Sequence, residues 1–498
     1  MNPATPTLEA YRPARHFAAR DTWLNDPNGL VFLDGTYHLY FQNNPYGNVH
    51  GNLSWGHATS TDLVDWVEQP VAIRCDETEE IFSGSIVVDQ ENTSGLGAAG
   101  TAPLVALYTS AYRPASEHQG TQAQSVAWSA DGGYTWTKYA GNPVLTRNSP
   151  EFRDPKVFRY EGPAGSYWVM AAVEALDFAV LLYRSDNLLD WTYLSTFGPA
   201  NGTGGVWECP DLFELPVDGN PERTKWVLTV NMNPGGPNGG SAGQYFVGHF
   251  DGTRFSSETT VTEGLQDDSR LADYHWLDWG RDYYAAVSFS NVPAGRRLMI
   301  GWMNNWQYAN RIPTAPWRSP MSLVRDVWLT EIAGQPRLVQ AIAPEVTAGA
   351  EAAARTEVAV AGSLAVDGGT PVQLLHVTFT PESADVFGIV VRGAADGTAG
   401  TRISIRPGAG SLVLDRTLSG DTGFDPSFAS ASTAPILPGP DGTYSLRIFV
   451  DHCSVEVFGQ DGLVSMTELI FPDPAHSTIS LFADGGTAGA SLQLWDVA

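Results

Sequence analysis

The chain has 498 residues, 43% of them hydrophobic, with 16 Trp, 18 Tyr, 21 Phe, 51 Gly and 33 Pro. Its formal net charge of −27 argues against nucleic acid or an anionic membrane as partner, since both need a basic face, and suits a soluble protein with a neutral ligand. Three cysteines at wide spacing (Cys75, Cys209, Cys453) make neither a disulfide framework nor a metal knuckle, and no apolar run approaches the ~18 residues that span a bilayer.

Residues 1–20 lack the basic-then-apolar order of a secretory leader. The expectation is a secreted protein in its mature form, with a cytoplasmic one as the alternative. Length predicts two to four domains, and abundant Gly and Pro without long 3.6-residue periodicity predict a nearly all-β chain.

From about Asp21 to Asp326 a loose repeat runs through the sequence. Ser60-Thr61-Asp62 leads to Trp66, Ser129-Ala130-Asp131 to Trp136, and Ser185-Asp186 to Trp191. Asp34-Gly35 and Asp251-Gly252 mark tight hairpins between aromatic strands, and runs such as Tyr37–Phe41 and Tyr167–Met170 alternate as half-buried strands do. Units of roughly 55–70 residues fit four-stranded sheets set radially, and about five of them fit the length. The reading is a five-bladed β-propeller over 12–335, with one large β-sandwich as the competing architecture. Residues 336–356 lie in a stretch poor in aromatics and read as a linker. From 357 to 498, short strand-like runs alternate with Gly, Asp and Pro turns, the pattern of a β-sandwich.

Three stretches place a carboxylate one or two positions before a proline: Asn25-Asp26-Pro27-Asn28-Gly29, Arg153-Asp154-Pro155 and Glu208-Cys209-Pro210. In the first stretch Pro27 pushes Asp26 towards an extended conformation, so that side chain is held in a set direction. Taken singly each is an ordinary turn. Taken together on the inner strands of different blades, all three would face one central funnel. Neighbouring carboxylates repel, which leaves a neutral acid beside an ionised base or nucleophile, the pair that glycosidic cleavage needs.

These stretches resemble the signature boxes of glycoside hydrolase family 32, the invertase, inulinase and levanase family. So do Tyr40–Pro45, Ser54–Ala58, Phe82–Ser85, Asn233–Gly236, Gly301–Trp306 and Ser454–Phe458. The resemblance extends from Trp23 into the C-terminal sandwich and is greatest to bacterial exo-acting levanases and inulinases. It implies a retaining enzyme that cleaves β-fructofuranosidic bonds of levan or inulin from the chain end, without metal or organic cofactor. Asp26 would be the nucleophile, Glu208 the acid and base, and Asp154 the holder of ring hydroxyls. Asn25, Gln42, Ser83 and Arg153 would form a polar floor, with Trp55, Phe82, Trp302 and Trp306 as apolar walls or part of the pocket. Arg153 is expected to keep Asp154 ionised, and Cys209 to pack or to tune the neighbouring acid through its S–H. A retaining double displacement sets the Asp26 and Glu208 carboxyls about 5–5.5 Å apart.

Two positions depart from the family pattern. His50 stands where a Trp is usual, and Trp279 where Tyr or Phe is usual, both expected at the pocket rim. A changed rim keeps a second reading open, a levan fructotransferase that releases a cyclic difructose anhydride. A fructan-binding lectin is the reading from another class, and the presence of all three carboxylates speaks against it. His50 has no metal-ligand spacing around it.

Overall fold

The computed structural model describes residues 8–98, 100–163 and 165–497; residues 1–7, within the stretch read above for a leader, lie outside it. Five antiparallel blades follow one another in chain order, the fourth and fifth joined into one eight-stranded sheet by a single parallel pairing, Val217 with Leu329. Their first strands are Trp23–Leu33, Glu79–Val88, Phe152–Gly162, Val206–Val217 and Tyr284–Ser288. Each of these packs against the first strand of the next blade, and the fifth returns to the first. The ring is closed, a five-bladed propeller, and the first strands line its axis.

All five inner strands break register at the same level. Three residue steps on the inner strand match two on its neighbour between Leu24 and Pro27, Ile81 and Gly84, Arg153 and Lys156, Glu208 and Asp211, and Tyr284 and Val287. The extra residue of such a bulge bends the strand and re-aims its side chains. Three of the breaks include a residue in the left-handed region: Asp154 at φ 62°, Cys209 at 47° and Ala285 at 52°. The prolines after Asp154 and Cys209 fit these bends, because each supplies no N–H where the ladder is interrupted.

The last blade keeps its outer strand where a linker was expected. Gln335–Ile342 pairs with Arg325–Ile332 along its whole length, burying Leu338, Val339 and Ile342. A second strand, Glu351–Val366, begins inside the same stretch, so only 343–350 connects the two halves. Few aromatics were needed because both strands are outermost in their sheets, with one face in solvent.

The second domain is built on Thr478–Asp496. Its first part pairs with Val386–Gly393, and its second part with Gln373–Pro381, so one long strand serves both layers. The edge strand Glu351–Val366 runs beside both parts. Buried ion pairs bind this domain to the propeller. Arg325 donates to Asp278 (2.9 Å) and to Glu456 (2.6 Å), and all three side chains are fully buried. Arg416 pairs with Asp282 (2.5 Å) and Glu468 (2.6 Å). His16, from the segment before the first blade, sits between Asp451 (2.7 Å) and Glu456 (3.0 Å). Gly280 is required here: a Cβ would lie 2.1 Å from the carbonyl oxygen of Thr467.

Candidate active site

The five register breaks deliver the chemistry to the mouth of the ring. In the first blade Asp26 is half-buried and held from three sides. Ser83 Oγ donates to its Oδ2 at 2.6 Å, Asn25 Nδ2 to its Oδ1 at 3.0 Å, and the Cys209 thiol lies 3.5 Å from Oδ2. Asn25 is itself oriented by Trp23, whose Nε1–H donates to Asn25 Oδ1 at 2.7 Å. These contacts come from three blades, so the carboxylate has one orientation.

Asp154 lies deeper, 5% exposed. The Cys209 backbone N–H donates to its Oδ2 at 2.9 Å, and the Cys209 thiol reaches the same oxygen at 3.6 Å. One thiol therefore touches both aspartates, joining blades one, three and four at a point. Burial pushes the Asp154 carboxyl up to about 7; Arg153 opposes the rise, and the charges of Glu208 and Asp26 add to it. Burial among the three acids likewise pushes the Cys209 thiol up, so it stays an S–H donor. The thiol points at the aspartates rather than at Glu208, the acid it follows in sequence.

Glu208 is half-buried between two partners. Arg153 Nε donates to its Oε1 at 3.1 Å, and the Tyr284 hydroxyl bonds its Oε2. The other end of Arg153 meets Glu151 at 2.7 Å and Gln122 at 3.2 Å. The guanidinium expected on Asp154 is thus spent on Glu208 and Glu151, because the register break turns residues 153 and 154 apart. Asp154 stands instead on a backbone support: Thr109 Oγ1 accepts from the Asp154 N–H, and Gln124 ties Thr109 to the Phe152 carbonyl.

Gln42 is 1% exposed, with neither end of its amide bonded to protein among the described residues, beside Trp55 on the next strand. Phe82 and Trp306 are half-buried and offer ring surface. Trp55 and Trp302, expected in the pocket, have no exposed surface. Trp55 is fixed by its Nε1–H to the Phe82 carbonyl (3.0 Å), and Trp302 packs behind Trp23 and Trp306 with ring centroids 5.9 and 4.8 Å away. They brace the walls. His50 is exposed at the mouth, edge-on to Trp306 at 5.0 Å and to Trp23 at 5.8 Å. Trp279 is not part of this group. It is 9% exposed in the apolar core that spans both domains, and its N–H donates to the Ser465 carbonyl at 2.8 Å. Residues 278–282 are drawn onto 465–469 by Asp278 and Asp282, whose carboxylates accept the N–H groups of Thr467 and Leu469.

Sequence reasoning missed Tyr284, Glu151, Gln122 and Thr109. Only Tyr284 left a signal, since it heads the fifth inner strand at the level of the other breaks. With no proline after it, the repeat was not visible there.

A closed propeller with three acidic side chains at one end of its axis, walled by aromatic rings, defines a glycoside-cleaving enzyme. Comparison with known proteins makes the assignment particular. Residues 16–341 match the model of the glycosyl hydrolases family 32 N-terminal domain, and 344–496 that of the family 32 C terminal. The chain is 45% identical to a levanase of Bacillus subtilis (98% of this chain, 70% of that one) and 43% identical to an extracellular exo-inulinase of Aspergillus ficuum (96% and 93%). It superposes on the crystal structure of exo-inulinase from Aspergillus awamori with a TM-score of 0.93 at 40% identity, covering 100% of this chain and 99% of that one. A β-fructofuranosidase of Schwanniomyces occidentalis, complexed with fructosyl-erythritol, follows at 0.86 and 32%, with 99% of each chain covered. This chain belongs to glycosyl hydrolase family 32. Among the described residues no helix is long and apolar enough to cross a membrane.

Proposed function

We propose that the chain is a retaining fructan exohydrolase, secreted like its extracellular relative, that releases fructose from the ends of levan or inulin. The observation that carries this reading is the pinning of Asp26 by Ser83, Asn25 and Cys209 at one point, with Glu208 held separately by Arg153 and Tyr284. A nucleophile must be fixed in direction, whereas an acid–base group must meet a leaving oxygen and later a water.

In the first step Asp26 attacks the anomeric carbon of the terminal fructosyl unit. The glycosidic bond breaks as Glu208 gives its proton to the leaving oxygen, and a fructosyl ester of Asp26 remains. In the second step Glu208 takes a proton from water, the water oxygen adds to the same carbon, and Asp26 leaves with its electron pair. Asp154, deep under the pair, accepts hydroxyl protons of the ring as bonds that tighten when positive charge develops. Asn25, Gln42, Ser83 and Arg153 complete the polar floor. Phe82 and Trp306 face the ring, and His50 stands at the entrance towards the leaving group.

Intramolecular transfer loses its footing, since one of the two rim positions that raised it, Trp279, is packed into the core. Incubation with levan, inulin and sucrose, with chromatography over time, tests the reading. Free fructose should accumulate from the first minutes with no ladder of intermediate oligosaccharides. A non-reducing dianhydride, or mid-sized fragments before any fructose, would overturn it.

A further inference from the structure

An aromatic-lined cavity lies at the other end of the propeller axis. It has a volume of about 660 Å³ and is walled by the later parts of the inner strands of blades two, three and four. Phe158 is four residues beyond Asp154 on the same strand, about 13 Å at ~3.3 Å per residue, so the cavity is separated from the funnel by the packed centre of the ring. Phe158, Tyr160 and Trp226 stand half-buried on one side, with Trp226 5.5 Å from Phe158 and 6.1 Å from Tyr160 between ring centroids. Phe250 backs them at 5.1 Å from Trp226. Arg297 lies over Phe213 at 4.9 Å and Arg159 over Trp168 at 5.1 Å. Neither guanidinium is closely paired: Arg159 comes no nearer than 3.6 Å to a carboxylate, and no ion pair within 4.0 Å is found for Arg297 among the described residues. Exposed Glu161, Glu214 and His249 complete the rim.

Flat ring faces beside planar side chains with spare donors and acceptors are what a sugar chain is recognised by. Charge selects between a neutral and an anionic sugar. Lys156, Arg159 and Arg297 are balanced in the cavity by Asp211, Glu161 and Glu214, inside a chain of net charge −27. A neutral ligand is favoured, since an anion would meet three carboxylates and a repelling field.

We propose that this cavity is a second carbohydrate site, which holds a remote part of the fructan polymer while the funnel trims its ends. The choice of fructan rests on the functional reading above. Two footholds on one polymer raise the local concentration of chain ends, so the gain belongs to polymers and not to sucrose.

The test is affinity electrophoresis in levan gels with the full chain carrying Asp26→Ala, so that the polymer is not consumed. Adding Trp226→Ala or Arg159→Ala should weaken retention about tenfold, one decade in dissociation constant. With Asp26 intact, the same substitutions should leave sucrose turnover unchanged and slow release of fructose from dilute levan. Unchanged retention in both variants overturns the proposal, as does loss of sucrose turnover in step with loss of retention in Arg159→Ala. That surface substitution decides alone if Trp226→Ala fails to fold. Displacement of levan by inorganic phosphate would reassign the cavity to anions and equally overturn it. Retention by a parent chain that releases no fructose from levan or sucrose would instead sink the catalytic reading and leave the cavity standing.

Discussion

Asp154→Asn should make the enzyme more stable and nearly inactive, with a stability gain that depends on pH. The carboxyl is buried and raised from 3.8 to about 7, so between those values the folded chain binds a proton that the unfolded chain has released. Stability therefore falls as pH rises through that window, and the charged group is a burden above it. At ~1.36 kcal/mol per pH unit the burden is about 1 kcal/mol at pH 4.5 and about 4 kcal/mol at pH 8. Asparagine keeps the oxygen that accepts from the Cys209 N–H and carries no charge to desolvate. An unfolding entropy of ~2.1 cal/mol/K per residue over the whole chain corresponds to about 1 kcal/mol per degree, so the midpoint should rise about 4 °C at pH 8 and about 1 °C at pH 4.5. Calorimetry of both proteins at the two pH values measures this, beside kcat/KM on sucrose, which should fall about 10²–10³-fold. An equal shift at both pH values, or none, would refute the reasoning that the burial of this charge is what costs stability.

Other expectations follow from neighbouring groups. Asp26→Ala and Glu208→Ala should each cut polymer turnover by about 10³-fold or more while the protein still folds, and Glu208→Ala should retain more activity on an aryl fructoside, whose leaving group needs no proton. Equal losses on both substrates would remove Glu208 from the acid role. Arg325→Ala strands the carboxylates of Asp278 and Glu456 without their cation and should destabilise by about 3–5 kcal/mol in denaturant titration. His16 is raised from 6.5 to about 9 by its bonds to Asp451 and Glu456 against the pull of burial. Its stabilisation is complete below 6.5 and lost as pH climbs through 9, about 3 kcal/mol in all, so His16→Gln should flatten the fall in melting temperature between pH 7 and 10.

The acids were legible because each is chemically marked in the chain. A proline follows Asp26 and Asp154 directly and Glu208 at one remove, and the bulge that aims the side chain is the same local event that proline records. Blade number was legible because Asp-Gly turns and a Ser and Asp a few residues before a Trp recur along the chain. What stayed hidden depends on partners far along the chain. The family resemblance implies a rim position for Trp279, yet two nearby acids, Asp278 and Asp282, bind N–H groups of the sandwich and carry it inward. Arg153 reads as the natural partner of the acid next to it, yet a left-handed residue at 154 parts the two side chains. Outer strands such as Gln335–Ile342 escape notice for the opposite reason, since an edge needs little apolar sequence.

The seam between the domains ties these threads together. Buried ion pairs contribute little net stability, because desolvation consumes most of the Coulomb energy, but they are intolerant of misalignment. Here they fall on Asp278 and Asp282, just before the strand that brings Tyr284 to Glu208. Tyr308, two residues past Trp306, donates to Asp282 at 2.6 Å and accepts from Arg416 at 2.8 Å. The sandwich thus holds both ends of the fifth blade's contribution to the funnel, the Tyr284 hydroxyl on Glu208 and the half-buried Trp306 indole. A hydrophobic seam of equal area would bind as strongly yet allow sliding. Charged pairs fix the register, and register at this seam is register at Glu208.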